Sequence, residues 1–411
     1  MCGGMQVWCH PHGARVKRVT MRQVLNGNKA AAYGAKLCRP GILAVYPITP
    51  QTTVSEYICQ FKANGELDST IVEAESEHSV MSILTGASMA GSRVFTATSG
   101  QGLLYMCEPY VRVSTCRLPI VMCIVNREII SPTTVWCGHQ DAITLRDGGW
   151  IQIYVEDNQE ILDTIIMAFR VAEDPEVMLP VNVCYDGFYL SHMVDIVDVP
   201  DQETVDRFLP RYKPGQLILD PDNPMAVDPA MPGDLLMEFR YKHLMAMEIA
   251  KEKIGQVDRE FAQTFGRSYG GLIEAYCCDD ADYLLVTMGS ATGTARVAID
   301  HAREKGIPFG LVKVRALRPF PAKELARVAT GKKAIGIFDR NVSFGWNSGT
   351  LFMETRSAFF AEKVNLPMVN FIAGLGGLDI RVDQIEDCME KVVHAARTKL
   401  DQEVYWVGIE S

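Results

Sequence analysis

Short runs of apolar, β-branched residues alternate along the chain with stretches whose apolar positions recur every three or four residues. This alternation is typical of parallel strands joined by crossover helices. The first series predicts strands at 42–46, 70–73, 93–98, 119–126, 151–155 and 179–185, and helices at 51–63, 77–90, 103–116 and 159–172. The second series predicts strands at 283–288, 309–314, 334–339 and 368–372, and helices at 294–305, 322–329, 350–360 and 382–398.

A segment rich in proline separates the two series. Proline interrupts both helices and strands because its ring fixes φ and its nitrogen carries no hydrogen. A polar stretch with helical periodicity follows at 235–265. The pattern therefore predicts an α/β fold of two domains, each with a parallel sheet. We place an extension at 1–20, a first domain at 21–199, a connection at 200–280, a second domain at 281–399 and a tail at 400–411.

The composition is that of a globular protein with a large core, because 48% of the 411 residues are apolar and 22% are charged. No run reaches the roughly 18 apolar residues that a membrane span requires. The 50 acidic and 40 basic residues give a net charge of −10. That charge disfavours a nucleic-acid protein, which needs a basic face. We expect a soluble cytoplasmic protein with neither a membrane nor a nucleic-acid partner.

The 12 cysteines are spread along the chain and mostly lie in apolar runs, as reduced thiols do. No C-x-x-C pattern occurs, so we predict no metal site and no iron–sulfur cluster in this chain. Cys2, Cys9, His10 and His12 could be metal ligands, but their spacing fits no zinc pattern. The first twenty residues also lack the apolar core of a secretory signal.

Polar side chains follow the first four predicted strands at the point where each strand ends. Thr49 follows the first strand, Glu77 the second, a glycine-rich turn at 99–102 the third, and Arg127 the fourth. Because the carboxyl ends of parallel strands share one edge of a sheet, these groups should lie close together. A hydroxyl, a carboxylate, a glycine-rich turn and a guanidinium at one edge predict a ligand site.

Each of these groups also has a purely structural interpretation. Thr49 could cap the helix that follows it, and the helix dipole alone could favour Glu77 at the start of its helix. Arg127 leaves an apolar strand, where a guanidinium needs a carboxylate from the protein or from a ligand. Ser99 and Gly100 open a helix whose amides could hold an anion, although that signal is weak by itself.

The loop at 136–150 is dense in chemically active side chains. His139 and Asp141 could carry out acid–base chemistry, or they could belong to a structural ion pair. We interpret His78 and His192 as a helix-start and a core histidine. A second glycine turn at 289–293 does not follow the G-x-G-x-x-G pattern, so it gives little support for nicotinamide binding.

Taken together, the motifs closely resemble the alpha subunit of the 2-oxoacid:ferredoxin oxidoreductases, in particular the pyruvate synthase (pyruvate:ferredoxin oxidoreductase) branch. The resemblance extends over roughly residues 21–400. The motifs that carry it are Tyr46-Pro47-Ile48-Thr49-Pro50-Gln51-Thr52, Glu75-Ser76-Glu77-His78, Phe95-Thr96-Ala97-Thr98-Ser99, Asn126-Arg127, His139-Gln140-Asp141, Arg146-Asp147, Asp186-Gly187-Phe188, Val314-Arg315, Arg318-Pro319-Phe320-Pro321, Asp339-Arg340-Asn341 and Ala373-Gly374-Leu375-Gly376-Gly377.

This resemblance implies a domain of the thiamine-diphosphate-binding, pyrimidine-side type, followed by a domain like the C-terminal domain of transketolase. It implies that Glu77 hydrogen-bonds the aminopyrimidine ring and drives its tautomerisation. Thr49 and Arg127 match the groups that hold the 2-oxoacid carboxylate, and His139 and Asp141 lie in the substrate loop. The implied cofactor-binding residues are Tyr46, Pro47, Ile48, Thr49, Glu77, Ser99 and Gly100.

The sequence also lacks parts that the family's reaction needs. It contains no G-D-G motif for magnesium and the cofactor diphosphate, and no cysteine clusters for electron transfer. The resemblance therefore implies a beta subunit that binds magnesium and the diphosphate, a ferredoxin-like delta subunit with iron–sulfur clusters, and a gamma subunit. Coenzyme A is the implied co-substrate, and ferredoxin or an NAD-linked carrier is the acceptor in anaerobic metabolism. The chain should be inactive without these partners.

Pyruvate is the substrate that the motifs favour, with acyl-CoA and carbon dioxide as products. Glu128, Ile129 and Ile130 replace the small apolar residues usual after Arg127 in that branch, which makes the aryl oxoacid phenylglyoxylate the second candidate. Thr49 disfavours oxalate, and a branched-chain oxoacid is also less favoured. More distant alternatives are a transketolase-like carboligase without electron transfer and a scaffold subunit whose site has decayed.

Overall fold

A computed structural model describes residues 20–215, 218–398 and 402–409. The potential metal ligands near the start of the chain lie outside these residues. The strands are β1 (Thr20–Asn26), β2 (Ile42–Val45), β3 (Thr70–Glu73), β4 (Val94–Thr98), β5 (Val121–Asn126), β6 (Ile151–Tyr154), β7 (Val181–Asp186), β8 (Val194–Pro200), β9 (Ile273–Tyr276), β10 (Tyr283–Thr287), β11 (Phe309–Val314), β12 (Ala316–Arg318), β13 (Ala334–Asp339), β14 (Met368–Ile372) and β15 (Val404–Trp406).

Thirteen α-helices cover most of the connections between these strands in the described part of the chain. They are α1 (Gly27–Leu37), α2 (Thr52–Ala63), α3 (Glu77–Met89), α4 (Gly100–Tyr105), α5 (Cys107–Thr115), α6 (Gln140–Thr144), α7 (Asn158–Ala172), α8 (Gln202–Phe208), α9 (Gly233–Phe265), α10 (Ala291–Glu304), α11 (Ala322–Ala329), α12 (Thr350–Ala361) and α13 (Val382–Ala395). None of the described helices is long and apolar enough to cross a membrane.

The first sheet has seven strands in the order β12-β6-β7-β5-β4-β2-β3. Six of them are parallel, and β12 pairs antiparallel with β6 at the edge. Strands β4, β5 and β7 are buried along their whole length, which explains their nearly continuous apolar sequence. Helices α1, α2 and α7 contribute to the core on one face of this sheet, and α3 and α5 to the core on the other.

The second sheet has six strands in the order β15-β14-β13-β10-β11-β9. Only β9 is antiparallel to its neighbour. One hydrophobic cluster contains residues of α3 and α5 together with residues of β10, β11 and β13, so apolar packing continues from one domain into the other. The predicted α/β fold with two parallel-sheet domains is confirmed.

Most predicted elements are present, and the differences have local causes. The helix predicted at 103–116 is two helices, because the chain leaves helical geometry at Met106 between α4 and α5. The predicted polar helix is α9, which follows Pro232 and ends at Gly266 with a left-handed φ of 74°. The antiparallel pair of β1 and β8 and the helix α1 were not predicted, and neither were strands β9, β12 and β15, which are only three or four residues long. The last of them lies in the predicted C-terminal tail.

A buried ion network ties the two domains together at the end of β6. Glu160 accepts from Lys313 Nζ and Arg315 Nε, both at 2.6 Å, and Lys313 also donates to Glu156 at 3.0 Å. Burial acts to raise the pKa of Glu160, but Lys313 and Arg315 outweigh it and lower the pKa. A buried charge without its partner is costly, so these residues fix the register between the domains.

Removing the Lys313 charge should destabilise this junction. Lys313→Met should lower the free energy of unfolding by about 3 kcal/mol, because the buried Glu160 carboxylate and the partly buried Glu156 carboxylate lose a cationic neighbour. The control is Lys305→Met, since Lys305 is 61% exposed and pairs with Glu386 at the surface; its cost should stay below about 1 kcal/mol. Thermal and denaturant unfolding of the purified protein measure both. Equal destabilisation by the two changes would contradict a structural role for the network.

Candidate active site

Thr49, Glu77 and Arg127 meet at the carboxyl edge of the first sheet. The residues follow strands β2, β3 and β5, which lie with β4 in one continuous part of the first sheet, so the three positions are at the same edge. A Cβ on Gly100 would lie 3.0 Å from Cδ of Arg127, and a Cβ on Gly102 would collide with the Glu77 carboxylate. Glycine at both positions therefore lets the guanidinium and the carboxylate pack against one turn.

Arg127 carries a guanidinium that is mostly buried but has no carboxylate partner among the described residues. Its Nη1 donates to the carbonyl of Thr49 at 2.8 Å, and its Nε donates to the carbonyl of Thr134 at 3.2 Å. Burial lowers its pKa. These two carbonyls orient the group without neutralising it, so the charge remains available to a bound anion.

The loop between β2 and α2 presents Thr49 to solvent. Helix α2 begins at Thr52 with Gln51 at the N-cap, so the alternative that Thr49 caps this helix is wrong. The Thr49 carbonyl accepts from Arg127 Nη1, so the backbone of Thr49 lies beside the guanidinium. Tyr46 and Ile48 are half-buried in the same loop, and Pro47 is exposed.

Glu77 is the first residue of α3, whose N-cap Ser76 accepts from the amide of Ser79 at 3.3 Å. The helix is therefore capped without the Glu77 side chain. The residue is only 7% exposed, and burial raises its pKa. Near its carboxylate, Thr98 Oγ1 is buried without a partner in the described structure, and so are both amide atoms of Gln101 in the first turn of α4. Such orphaned polar atoms fit a polar ligand that is absent from the chain itself.

The Asp141 carboxylate lies at the start of α4, where the sequence analysis predicted that backbone amides could hold an anion. Its carboxylate accepts from the amides of Gly100, Arg127 and Ala142 and from Nδ2 of Asn126, at 2.8–3.0 Å. Burial raises the pKa of Asp141, and these donors oppose the rise. The start of α4 is thus bonded by the protein itself, and Asp141 positions Arg127.

Ser99 is also turned inward, since its hydroxyl donates to the carbonyl of Val125 at 2.7 Å. The predicted contacts of Ser99 and Gly100 with a cofactor stay predictions. In the structure both residues shape the turn against which Arg127 and Glu77 pack.

His139 pairs with Asp186, not with its sequence neighbour Asp141. The distance between His139 Nε2 and Asp186 Oδ1 is 2.6 Å, and both side chains are buried. Asp186 also accepts from Arg340 Nη1 at 2.9 Å and from the amide and hydroxyl of Ser290. Burial acts to raise the pKa of Asp186, but Arg340 and His139 outweigh it and hold the pKa well below its usual range. The structure therefore favours the ion-pair interpretation of His139.

Sequence reasoning gave no role to Asp186, Ser290 or Arg340. Asp186 ends β7, Ser290 follows β10, and Arg340 follows β13. The rule that polar residues at the carboxyl ends of parallel strands gather at one edge could have singled them out. What it could not show is that the carboxyl edges of the two sheets face each other, which depends on the domain arrangement.

An aromatic pair borders the site. The rings of Trp136 and Phe188 lie 4.4 Å apart, and Phe188 stacks on His192 at 4.8 Å. Gly187, next to Phe188, packs on Pro50, so this pair is close to the Thr49 loop. Trp136 is 50% exposed, so part of its ring surface faces solvent.

Glu128, which follows Arg127 in the sequence, lies between the two domains. Its Oε1 accepts from the amide of Gly376 at 3.4 Å, and a Cβ on Gly138 would collide with it. Burial raises the pKa of Glu128 to about 7. The departure from the family pattern at this position therefore contributes to the domain interface.

Comparison with known proteins agrees with this architecture. A family model described as the thiamine-diphosphate-binding domain of pyruvate flavodoxin/ferredoxin oxidoreductases matches residues 33–259. A second model, core domain II of pyruvate:ferredoxin oxidoreductase, matches residues 281–385.

Curated relatives match nearly the whole chain. Pyruvate synthase subunit PorA of Methanocaldococcus jannaschii is 46% identical over 389 residues, which are 94% of this chain and 98% of the relative. The alpha subunit of the NADH-dependent phenylglyoxylate dehydrogenase of Aromatoleum evansii is 44% identical over 372 residues, 89% of each chain. Ketoisovalerate oxidoreductase subunit VorA of Pyrococcus abyssi is 45% identical over 394 residues, 95% of this chain and 98% of the relative.

Two solved structures share the fold. The 2-oxoglutarate:ferredoxin oxidoreductase of Magnetococcus marinus has a TM-score of 0.68 at 20% identity, over 90% of this chain and 65% of that chain. A split-gene transketolase has a TM-score of 0.53 at 12% identity, over 90% of this chain and 99% of that chain. The protein belongs to the 2-oxoacid:ferredoxin oxidoreductase family and is an alpha subunit of such an enzyme. The predicted recognition, fold class and oxidoreductase function are confirmed.

Proposed function

We propose that the Thr49–Arg127 edge binds a 2-oxoacid and the pyrimidine side of thiamine diphosphate, with pyruvate as the first candidate substrate. The observation that carries this proposal is that two charged side chains, Arg127 and Glu77, pack against one turn without an oppositely charged partner. Arg127 has no carboxylate partner in the described structure, and the buried Glu77 carboxylate has no cationic one. Unpaired charges of opposite sign at an open sheet edge fit two ligands, an acid at Arg127 and a basic ring at Glu77.

Arg127 holds the substrate carboxylate. Its guanidinium is fixed by two carbonyls, so little side-chain entropy is lost when the acid binds. Thr49 is exposed and its backbone lies at the same guanidinium, so its hydroxyl donates a further hydrogen bond to the bound acid. These two groups orient the 2-oxoacid before any bond breaks.

Glu77 exchanges a proton with the cofactor's ring nitrogen. A carboxyl group whose pKa is raised by burial holds its proton closer to neutral pH and gives it up at low cost. Thr98 Oγ1 and the Gln101 amide are the other buried groups that would contact the ring. When bound, thiamine diphosphate supplies the carbanion-stabilising centre for decarboxylation.

The remaining chemistry belongs to other chains in this proposal. A beta-type subunit supplies magnesium and the diphosphate site, because the sequence has no G-D-G motif. A ferredoxin-like delta subunit supplies iron–sulfur clusters, which pass electrons to ferredoxin or to an NAD-linked carrier, and a gamma subunit completes the complex. Coenzyme A accepts the acyl group. The exposed Pro47, Thr49 and Tyr105 at the open side of the site support closure by a partner chain.

An aryl oxoacid such as phenylglyoxylate is the second candidate substrate. The Trp136–Phe188 pair favours it, because Gly187, next to Phe188, packs on Pro50 of the Thr49 loop and the half-exposed Trp136 ring can pack on a substrate ring.

Glu77→Gln should reduce carrier reduction by the assembled complex about 100-fold or more, because the amide cannot exchange the required proton. Subunit assembly should be unchanged. Glu56→Gln, an exposed carboxylate on α2, is the matched control and should keep full activity. A fully active Glu77→Gln complex would instead support a scaffold subunit with a decayed site.

Arg127→Ala should raise KM for the 2-oxoacid about 30-fold or more, since truncating one partner of a desolvated charge pair costs at least about 2 kcal/mol. Arg127→Lys should show a smaller rise in KM than Arg127→Ala, because lysine keeps the positive charge but lacks the planar guanidinium that can bond a carboxylate through two N–H groups. The exposed Arg112→Ala serves as the control. Steady-state kinetics with varied 2-oxoacid measures these effects, and an unchanged KM for Arg127→Ala would contradict carboxylate binding there.

A panel of 2-oxoacids separates the two substrate candidates. Trp136→Ala should change the ratio of kcat/KM for phenylglyoxylate to kcat/KM for pyruvate by about tenfold, because the aromatic face is lost. Phe360→Ala, an exposed ring on α12, should leave the ratio unchanged. An unaltered ratio in Trp136→Ala would show that this pair does not line the acyl pocket.

A further inference from the structure

A glycine-rich loop of the second domain lies against the loop that provides one of the contacts of Arg127. The glycine-rich loop spans residues 374–377, follows β14, and contains three glycines with φ between 61° and 74°. The other loop spans residues 128–136, between β5 and α6. Its ends are joined by the amide of Glu128, which donates to the carbonyl of Trp136 at 3.1 Å. The glycines have no role in the proposed reaction.

The orientation of Arg127 depends on loop 128–136. Arg127 Nε donates to the carbonyl of Thr134 at 3.2 Å. Within the loop, the amide of Trp136 donates to Thr134 Oγ1, also at 3.2 Å. A shift of the Trp136 backbone would therefore move the carbonyl that orients the guanidinium.

Gly377 contacts loop 128–136 directly at Trp136. The Gly377 amide donates to the carbonyl of Cys137, the next residue, at 2.8 Å. A Cβ on Gly377 would lie 2.7 Å from the Cβ of Trp136, which is too close for two carbon atoms that are not bonded. The φ of 74° at this position also favours glycine. Glycine therefore lets the backbone of the second domain pack on Trp136.

A second contact lies at the other end of loop 128–136. The amide of Gly376 donates to Oε1 of Glu128 at 3.4 Å. The Glu128 carboxylate also packs against Gly138, where a Cβ would collide with it. Consecutive residues of the second domain thus hold both ends of the loop.

Loop 374–377 is itself fixed against its surroundings. The Tyr189 hydroxyl, from the segment that follows β7 of the first domain, lies 2.9 Å from the carbonyl oxygen of Gly377. A Cβ on Gly374 would lie 2.8 Å from Nε of Arg340, the arginine that bonds Asp186. Because close packing leaves this loop little room, a change in it should be transmitted to loop 128–136.

We propose that loop 374–377 of the second domain positions Arg127 for the 2-oxoacid, acting through Trp136 and Thr134. Gly377 is then a positioning residue, since it acts on the guanidinium only through loop 128–136. The second domain in this way sets the affinity for a substrate that binds at the edge of the first domain. This inference rests on the proposed function, because it assigns the 2-oxoacid carboxylate to Arg127.

Gly377→Ala tests the contact in the assembled complex. The added methyl group should displace Trp136 and Thr134, so KM for the 2-oxoacid should rise about fivefold or more as Arg127 loses an orienting hydrogen bond. The value of kcat and KM for coenzyme A should stay within about twofold of wild type. Gly331→Ala is the matched control, because Gly331 has a φ of 80° in the same domain but no atom within 4 Å of its Cβ position. Its KM for the 2-oxoacid should be unchanged.

A double-mutant cycle separates positioning from a general loosening of the domain interface. Trp136→Gly removes the Cβ that the new methyl group meets. Adding Gly377→Ala to Trp136→Gly should therefore change KM for pyruvate less than about twofold, although Gly377→Ala alone has the larger effect. The same effect in both backgrounds would contradict transmission through Trp136 and overturn the proposal.

Glu128→Ala tests the other contact without creating a collision. It leaves the Gly376 amide without its acceptor and should raise KM for the 2-oxoacid. Glu128→Gln keeps an acceptor oxygen and should have a KM close to that of wild type. An unchanged KM in Gly377→Ala overturns the proposal, and so does an unchanged KM in Glu128→Ala if Gly377→Ala does not assemble.

Failure of this inference can be told from failure of the proposed function. If Arg127→Ala leaves KM for the 2-oxoacid unchanged, the substrate carboxylate does not bind at Arg127 and the proposed function is wrong. If Arg127→Ala raises KM but Gly377→Ala does not, only the positioning by the second domain is wrong.

Discussion

Asp186 holds the carboxyl edges of the two sheets against each other, and this contact sets how the second domain lies beside the candidate active site. One carboxylate accepts from His139 in the first domain and from Arg340 and Ser290 in the second. A buried ion pair of this kind contributes little net stability, because desolvation offsets much of the Coulomb attraction. It does penalise other arrangements strongly, since any shift of the domains would leave charges buried and unpaired.

Asp141 has a similar role within the first domain, where it holds neighbouring loops together through its hydrogen bonds. It bonds the amides of Gly100, Arg127 and Ala142, and so joins the ends of β4 and β5 to α6. The guanidinium of Arg127 is then held by two carbonyls, and no carboxylate among the described residues bonds it directly. The rigidity of the edge and the lack of an ion-pair partner for its arginine have one cause: the Asp141 carboxylate is already occupied by backbone amides and by Asn126.

The sequence was sufficient for much of the fold and for the most open part of the site. Buried strands such as β5 are recognisable in the sequence as continuous apolar runs. Because the carboxyl ends of parallel strands share one edge, the sequence also predicted that Thr49, Glu77 and Arg127 lie at the same edge. His139 could not be assigned from sequence, because its partner is 47 residues away and competes with the adjacent Asp141. The short edge strands were missed for a similar reason: their pairing is decided by the neighbouring strand, and their own residues carry almost no periodic signal.

Strand β12 belongs to the second half of the chain but completes the sheet of the first half. During synthesis, the first domain therefore emerges from the ribosome with the edge of β6 uncovered. More than 150 residues separate Tyr154, at the end of β6, from β12. The nascent first domain must either tolerate this open edge or be shielded until Arg318 has been made. The two halves of the chain therefore complete their folding together, although each has its own sheet.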